Sequence, residues 1–518
     1  AILMATKWDT RKEKDKEAVS ILADIPYNQL ENKLYELTSF DDSPLRIVGS
    51  FWQVVSKNDL WSLIARKINR QSIDRLENVV FDVLGESEPS FDLPPEDRWL
   101  AGIKNIAPAY SEGLKFELAD TLALLSAFGD YECQSMGEIK LTDQVVYWVR
   151  KLLMKDISAR GWYSIGRNLI PLAEAAPESF LQSLESSMEE SDPSIGQLFI
   201  EQGMFCEYRY LNLLWALETI SWNLNYLPRV SLALARLSEI CPSEAYSNSP
   251  LNTLKEIFLG WINNTSATHE ERLQIIDSVL IRYYPEVAWK LLILLLPEDH
   301  GSFSRYICKP NYRDWADSIQ KGVFDKKYYL YVELLAARII TLADSQSESR
   351  YPELVKNMTR LPKKAFDELI RKFLLVNWDE MSNEVRLRIS NELRSIISTH
   401  REFEDNKWAL PKEFIDKLEE IFSLVTPDDL LQKNNYLFNE HYPQFIDPIL
   451  RKETKHQELD QIVESARTEA LLEIYQTMGI DGIKRLVTGC TLPDQVGYVI
   501  AKSELRNILE SELLDWLE

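Results

Sequence analysis

The segment HEERL, residues 269–273, is the part of this 518-residue chain that comes nearest to a catalytic metal motif. A zinc-protease helix carries two histidines four residues apart, so that both imidazoles share one face, with a glutamate between them as general base. The second position here is Leu273, so the ligand pair is incomplete. PEDHGSFSR, residues 297–305, gathers Glu298, Asp299, His300 and Ser302, the residue types of a nucleophilic triad. A triad is assembled in space from separated positions, and four near neighbours read better as a capped turn after an apolar run. His400, His441 and His456 stand in polar helical surroundings, where solvated surface positions are expected. MGIDGIKRLVTG, residues 478–489, sets Gly479 and Gly482 ahead of Lys484 and Arg485. Backbone amides could meet an anion there, yet a glycine-closed turn between two helices accounts for the spacing more simply. The run RKEKDKE, residues 11–17, interleaves both signs of charge and reads as a solvated helix face rather than a nucleic-acid patch.

No G-x-x-x-x-G-K-[ST] loop and no G-x-S-x-G elbow occurs, so the chain carries neither a phosphate-cradling loop nor a recognisable acyl-transfer nucleophile. The cysteines, Cys133, Cys206, Cys241, Cys308 and Cys490, are odd in number and never spaced as C-x-x-C, which argues against a disulfide framework or zinc knuckle and for a reducing cytoplasm. The expectation is a chain that is not itself an enzyme, with no catalytic, cofactor-binding or metal residues and no cofactor. An enzyme site assembled from distant helices is the reading that sequence leaves open.

The elements that would position any site are mostly helical. DKEAVSILAD (15–24) and PYNQLENKLYEL (26–37) carry apolar residues at helical spacing. SPLRIVGSFWQVVSKNDLW (43–61) then alternates Leu45 and Ile47 with Arg46, turns at Gly49-Ser50, and alternates Trp52 and Val54 with Gln53, which predicts a β-hairpin held together by Leu45, Ile47, Trp52 and Val54. Ser56 and Asp59 give a capping start to the next helix. Helix, helix, hairpin, helix is the order of a winged-helix module. After the polar, proline-bearing connector GESEPSFDLPPEDRW (85–99), helical segments follow one another, among them 114–129, 141–156, 210–224, 328–344 and 382–398. Breaks such as AAPESFLQSL (175–184), ICPSEAY (240–246), YYPEVAWKLL (283–292) and VTPDDLLQK (425–433) place proline just ahead of an apolar run, where its fixed φ suits a first helical turn. The expected fold is mainly α: an irregular α-solenoid of stacked antiparallel helix pairs after a winged-helix module, divided at 1–90, 91–300 and 301–518.

Hydrophobic residues make up 45% and charged residues 27%, the composition of a folded soluble protein, and 81 acidic against 58 basic residues leave a net charge of −23. That field repels phosphate backbones and anionic lipid. The run VAWKLLILLLP (287–297) contains Lys290 and falls short of the roughly 20 residues that span a bilayer, so no membrane is expected as partner. AILMATKWD does not resemble a secretion signal and reads as the start of a chain picked up partway along a longer protein. Among the 14 tryptophans, Trp215, Trp222, Trp261 and Trp289 fall at helical spacing and are expected to anchor the core. A winged helix raises the question of DNA, but the candidate recognition helix sets Glu31 and Glu36 against Lys33 alone, so a structural wing fits better than phosphate contact and nucleic acid is not the expected partner.

Several passages resemble a bacterial helical-array family found on the C-terminal side of STAND-type NTPases, the class that includes the antiphage Avs (AVAST) proteins. They are SPLRIVGSFWQVVSKNDLW (43–61), LIPLAEAAPESFLQSLE (169–185), LLWALETISWNLNYLPRVSLALARLSEI (213–240), LKEIFLGWINNTSATHEERLQIID (254–277), YPEVAWKLLILLLPEDHG (284–301), RDWAD (313–317) and NNYLFNEHYP (434–443). The resemblance implies a winged-helix and sensor region that binds a foreign protein, such as a phage portal or terminase, and relays the event to an NTPase and effector outside this chain. Partner-binding residues do not come with it. The competing reading, from a different class, is a DNA-associated regulator that uses the winged helix.

Overall fold

In the computed structural model, the described residues are 1–134, 140–191, 193–200, 208–241, 248–298, 305–317, 326–446 and 456–508. Among them the chain is mainly α-helical, with one small antiparallel sheet near its start. It divides into two compact units, one of residues 1–295 with 301–331 and one of residues 296–300 with 332–518.

The sheet contains the expected hairpin and a third strand. Strands β1 (Lys7–Asp9), β2 (Leu45–Val48) and β3 (Phe51–Val54) lie in the order β1-β3-β2. Gly49, at φ +63°, supplies the left-handed residue that the tight β2–β3 turn requires. A strand of three residues is too short to show a period, which hides β1 from sequence. Helices α1 (Glu13–Ala23) and α2 (Tyr27–Thr38) run between β1 and β2, and α3 (Lys57–Ile64) follows β3, capped by the Ser56 hydroxyl accepting from the Asp59 amide at 3.3 Å. This succession fits the expected winged-helix module.

Its core is aromatic. Trp52 is 1% exposed, stacks on Trp8 at 6.2 Å and receives the edge of Tyr35 at 5.2 Å, while the Trp8 indole donates to the Tyr27 hydroxyl. Leu45 and Val54 are buried as expected. Ile47 is not: it is 45% exposed, and of β2, one of the two outer strands, only the first residue is buried. One member of RKEKDKE also departs from expectation. Asp15 is fully buried, accepting the Asp9 amide at 2.8 Å and both the amide and the hydroxyl of Ser111, the residue that caps α5 (Glu112–Glu132). Burial pushes the Asp15 carboxyl above its usual range against the pull of these donors.

Between α4 (Arg70–Leu84) and α5, the polar connector is tied down. The Arg98 guanidinium lies over the Phe91 and Tyr163 rings, Arg160 pairs with Asp92, and Ser164 accepts the Glu88 amide. The helices that follow match the expected segments to within a few residues: Leu141–Leu153, Tyr210–Ser221 and Asn383–Glu402. Pro177 and Pro285 open helices at their first turn, whereas Pro427 precedes the capping Asp429; most of the break at 240–246 lies outside the described residues. Trp222 and Trp289 are buried, and Trp215 and Trp261 are half-buried. In the second unit, Leu437, Phe438, Leu471, Ile474, Ile483, Leu486 and Val496 form one apolar cluster.

Trp52→Ala should destabilise the module by about 3–5 kcal/mol, the cost of emptying a large aromatic site, whereas Ile47→Ala should stay within about 1 kcal/mol. Denaturant unfolding of the two variants measures the contrast, and similar losses would mean that Ile47 is packed after all.

Candidate functional site

A cluster of buried acids lies in the first unit, around an irregular strap, residues 305–317. Apart from one 3-10 turn at Asp314–Ala316, this segment carries backbone donors that no regular ladder satisfies, and leaving them buried without partners costs about 1–3 kcal/mol each. Three acids on three helices meet the need. Glu174, on the helix Leu169–Ala175, accepts the amides of Asn311, Tyr312 and Arg313 at 2.8, 2.6 and 3.0 Å. Glu218, fully buried on Tyr210–Ser221, accepts the Cys308 amide at 2.9 Å and both terminal nitrogens of Arg305. Asp120, on α5, accepts the Tyr312 hydroxyl at 2.7 Å and the Lys57 ammonium at 2.5 Å.

Neutral groups complete the clamp. The Trp222 indole donates to the Cys308 carbonyl at 2.7 Å, the Asn264 amide to the Arg305 carbonyl at 3.0 Å, and Arg313 to the carbonyl and hydroxyl of Ser126. Lys57 opens α3, directly after the hairpin, and also donates to the Glu117 carbonyl at 3.1 Å. One carboxylate, Asp120, therefore touches the winged-helix module and the strap from within the first long helix of the array. Burial pushes the Tyr312 phenol far above its usual range, and the Asp120 charge beside it adds to the shift, so the hydroxyl stays protonated and donating.

This arrangement holds chain together; it does not present a nucleophile. The Cys308 thiol is pushed up to about 12 by burial, with the Glu218 charge adding to it, and Cys133 rises to about 12 by burial. Neither is a thiolate at neutral pH. Among the described residues no group of three His, Cys, Asp or Glu side chains is placed to hold a metal.

HEERL takes a structural place. Thr268 and Glu271 form a capping box, the His269 imidazole bonds the Gly260 carbonyl at 2.8 Å and stacks on Tyr331, and Arg272 is buried on the carbonyls of Leu259 and Ala267. Of PEDHGSFSR, Asp299, His300 and Ser302 lie outside the described residues, as do Cys206 and the side chain of His456. His441 is exposed, but His400 is only 8% exposed and accepts the Leu410 amide at 3.1 Å, which corrects the surface position expected of it. Polar neighbours in sequence disguise it, since its face of the helix turns inward beside Trp408. Gly479, at φ +66°, breaks the helical run His456–Gly489, and a side chain at Gly482 would strike Met478 and Ile474, so the glycines serve a helix joint.

Sequence reading passed over Asp120, Glu174 and Glu218. The signal was present: a single acid inside runs such as LIPLAEAA and LLWALETISW, apolar on every face, has nowhere to go except inward.

Lys57→Met and Tyr312→Phe act on the same carboxylate, so their destabilisations should fail to add, with a coupling of about 0.5–3 kcal/mol in a double-mutant cycle. Additive losses would mean that module and strap are anchored independently. Burial raises the Glu174 carboxyl above its ordinary 4.5 although three amides oppose the shift. Its contribution to stability is therefore full below that value and declines as pH rises through the folded-state value. The stability advantage of the wild type over Glu174→Gln should shrink from acid to neutral pH in urea titrations, and an advantage that grows with pH would reverse the assignment. No protein-family model matches the chain, and no curated protein matches its sequence.

Proposed function

We propose that the chain is a protein-recognition scaffold: the winged-helix and sensor portion of an antiphage STAND NTPase, which binds a phage structural or packaging protein such as a portal or a terminase. The observation that carries this reading is the Lys57–Asp120–Tyr312 junction, which couples the small module to the helical array through buried charge. A relay requires that coupling, because a ligand changes a distant site only through differential contact with two arrangements of the intervening structure. Large apolar side chains left in solvent, including Tyr131, Leu375 and Trp408, agree with a surface that meets other proteins.

The DNA reading is the weaker one. On α2 the residues turned to solvent include Asn28, Gln29, Asn32, Lys33, Tyr35 and Glu36, with Glu31 half-exposed, so the face offers one cation against two acids. Phosphate contact needs a surplus of positive charge.

Purified chain tested against a panel of phage portals, terminases and capsid proteins should bind one class with a measurable Kd, and duplex DNA should not bind at low salt. Failure against every panel member while a longer parent responds to one of them would end the sensor reading. Salt-dependent DNA binding would favour the regulator.

A further inference from the structure

Among its described residues the second unit contains four buried arginines, Arg350, Arg386, Arg394 and Arg467. Arg350 donates to the Leu342 carbonyl, Arg386 to those of Val425 and Thr426, and Arg467 to those of Leu437, Glu440 and His441. Arg394 is the exception. It is 5% exposed, donates one N–H to the Asn391 side-chain oxygen at 2.6 Å, and engages no carbonyl and no carboxylate among the described residues. Its charge rests on the faces of Tyr436, at 3.6 Å, and Phe422, at 5.3 Å.

Arg394 lines a cleft of about 180 Å³ together with Asn391, Tyr436, Asn439, Glu440, Pro443 and Gln444. Its wall is fixed from behind: Arg467 holds the carbonyls of Glu440 and His441, Arg401 holds that of Ile446, and the Asn439 oxygen accepts the Thr491 amide, which leaves the Asn439 amino group as a donor. A guanidinium held in a desolvated place without an anion is costly unless a partner arrives, and several amide donors beside it favour an acceptor-only group. Burial lowers Arg394 to about 10, which still leaves it charged at neutral pH.

We propose that this cleft binds a single carboxylate group, held by the Arg394 fork and the neighbouring side-chain amides. The volume is below the roughly 300 Å³ at which drug-sized ligand sites begin, so one functional group fits and a whole nucleotide does not. One cation suits one negative charge, and the exposed Glu440 on the same cleft opposes a dianion such as phosphate. The group comes either from a small free carboxylate or from the end of a peptide chain. This proposal is independent of the function proposed above.

Thermal unfolding of the full chain is followed at constant ionic strength as sodium acetate replaces sodium chloride. The wild-type transition should rise with acetate, the rise should be lost in Arg394→Met, and Arg394→Lys should keep only part of it, since lysine retains the charge without the fork. Methionine keeps the unbranched apolar stem of arginine in place, and circular dichroism of Arg394→Met verifies that the variant folds. Labelled short peptides with free or amidated C-termini separate the two sources. Binding of the free form alone, lost in Arg394→Met, identifies a chain end, and an acetate response without peptide binding identifies a small free carboxylate. Equal anion responses in wild type and Arg394→Met, or stabilisation by phosphate and not by acetate, would overturn the proposal.

Discussion

Irregular chain inside a helical array must find partners for its backbone, and in the first unit carboxylates supply them along the strap. The strap 305–317 carries N–H groups into contact with helices whose own amides are already used. A carboxylate has two oxygens and more acceptor sites than any other side chain, and Glu174 accepts three donors in succession. The cost is a buried charge, which is why Glu218 is matched by the Arg305 fork and Asp120 by Lys57. Replacing Glu174 or Glu218 by an apolar residue would save the desolvation and strand the amides, and replacing Asp120 would strand the Lys57 ammonium and the Tyr312 hydroxyl.

In the second unit the device is inverted. There the groups left over are carbonyls at helix ends and in the loop 439–446, and guanidinium groups answer them: Arg386 for Val425 and Thr426, Arg467 for three carbonyls around Leu437, Arg401 for Ile446. Arginine suits this work because its five donors lie in one plane and its charge is weakly hydrated. Carboxylates for amides and guanidiniums for carbonyls are the same solution with the sign reversed. Against that regularity, Arg394, which holds no carbonyl among the described residues, stands apart.

Legibility in the sequence followed distance along the chain. Helices such as Tyr210–Ser221 and Asn383–Glu402 are written in the spacing of their own apolar residues, and the hairpin in the alternation around Gly49. The capping of α3 by Ser56 is a contact three residues long and was readable for that reason. The clamp was not, since Tyr312 meets Asp120 across 192 residues and Arg305 meets Glu218 across 87. Arg394 left no trace either, because an arginine every few residues along an amphipathic helix reads as surface.

The two lysines that the sequence treats alike show why position in the fold decides charge chemistry. Lys33 on α2 and Lys57 on α3 both stand near acids in helices of the same module. Lys33 stays in solvent, where a neighbouring acid contributes little. Lys57 is folded against α5, between Glu117 and Asp120, and so carries the module's connection to the array. The module thus turns one cation inward, while its outward helix α2 carries more acid than base. The charge of Lys57 is put to internal use, joining α3 to α5.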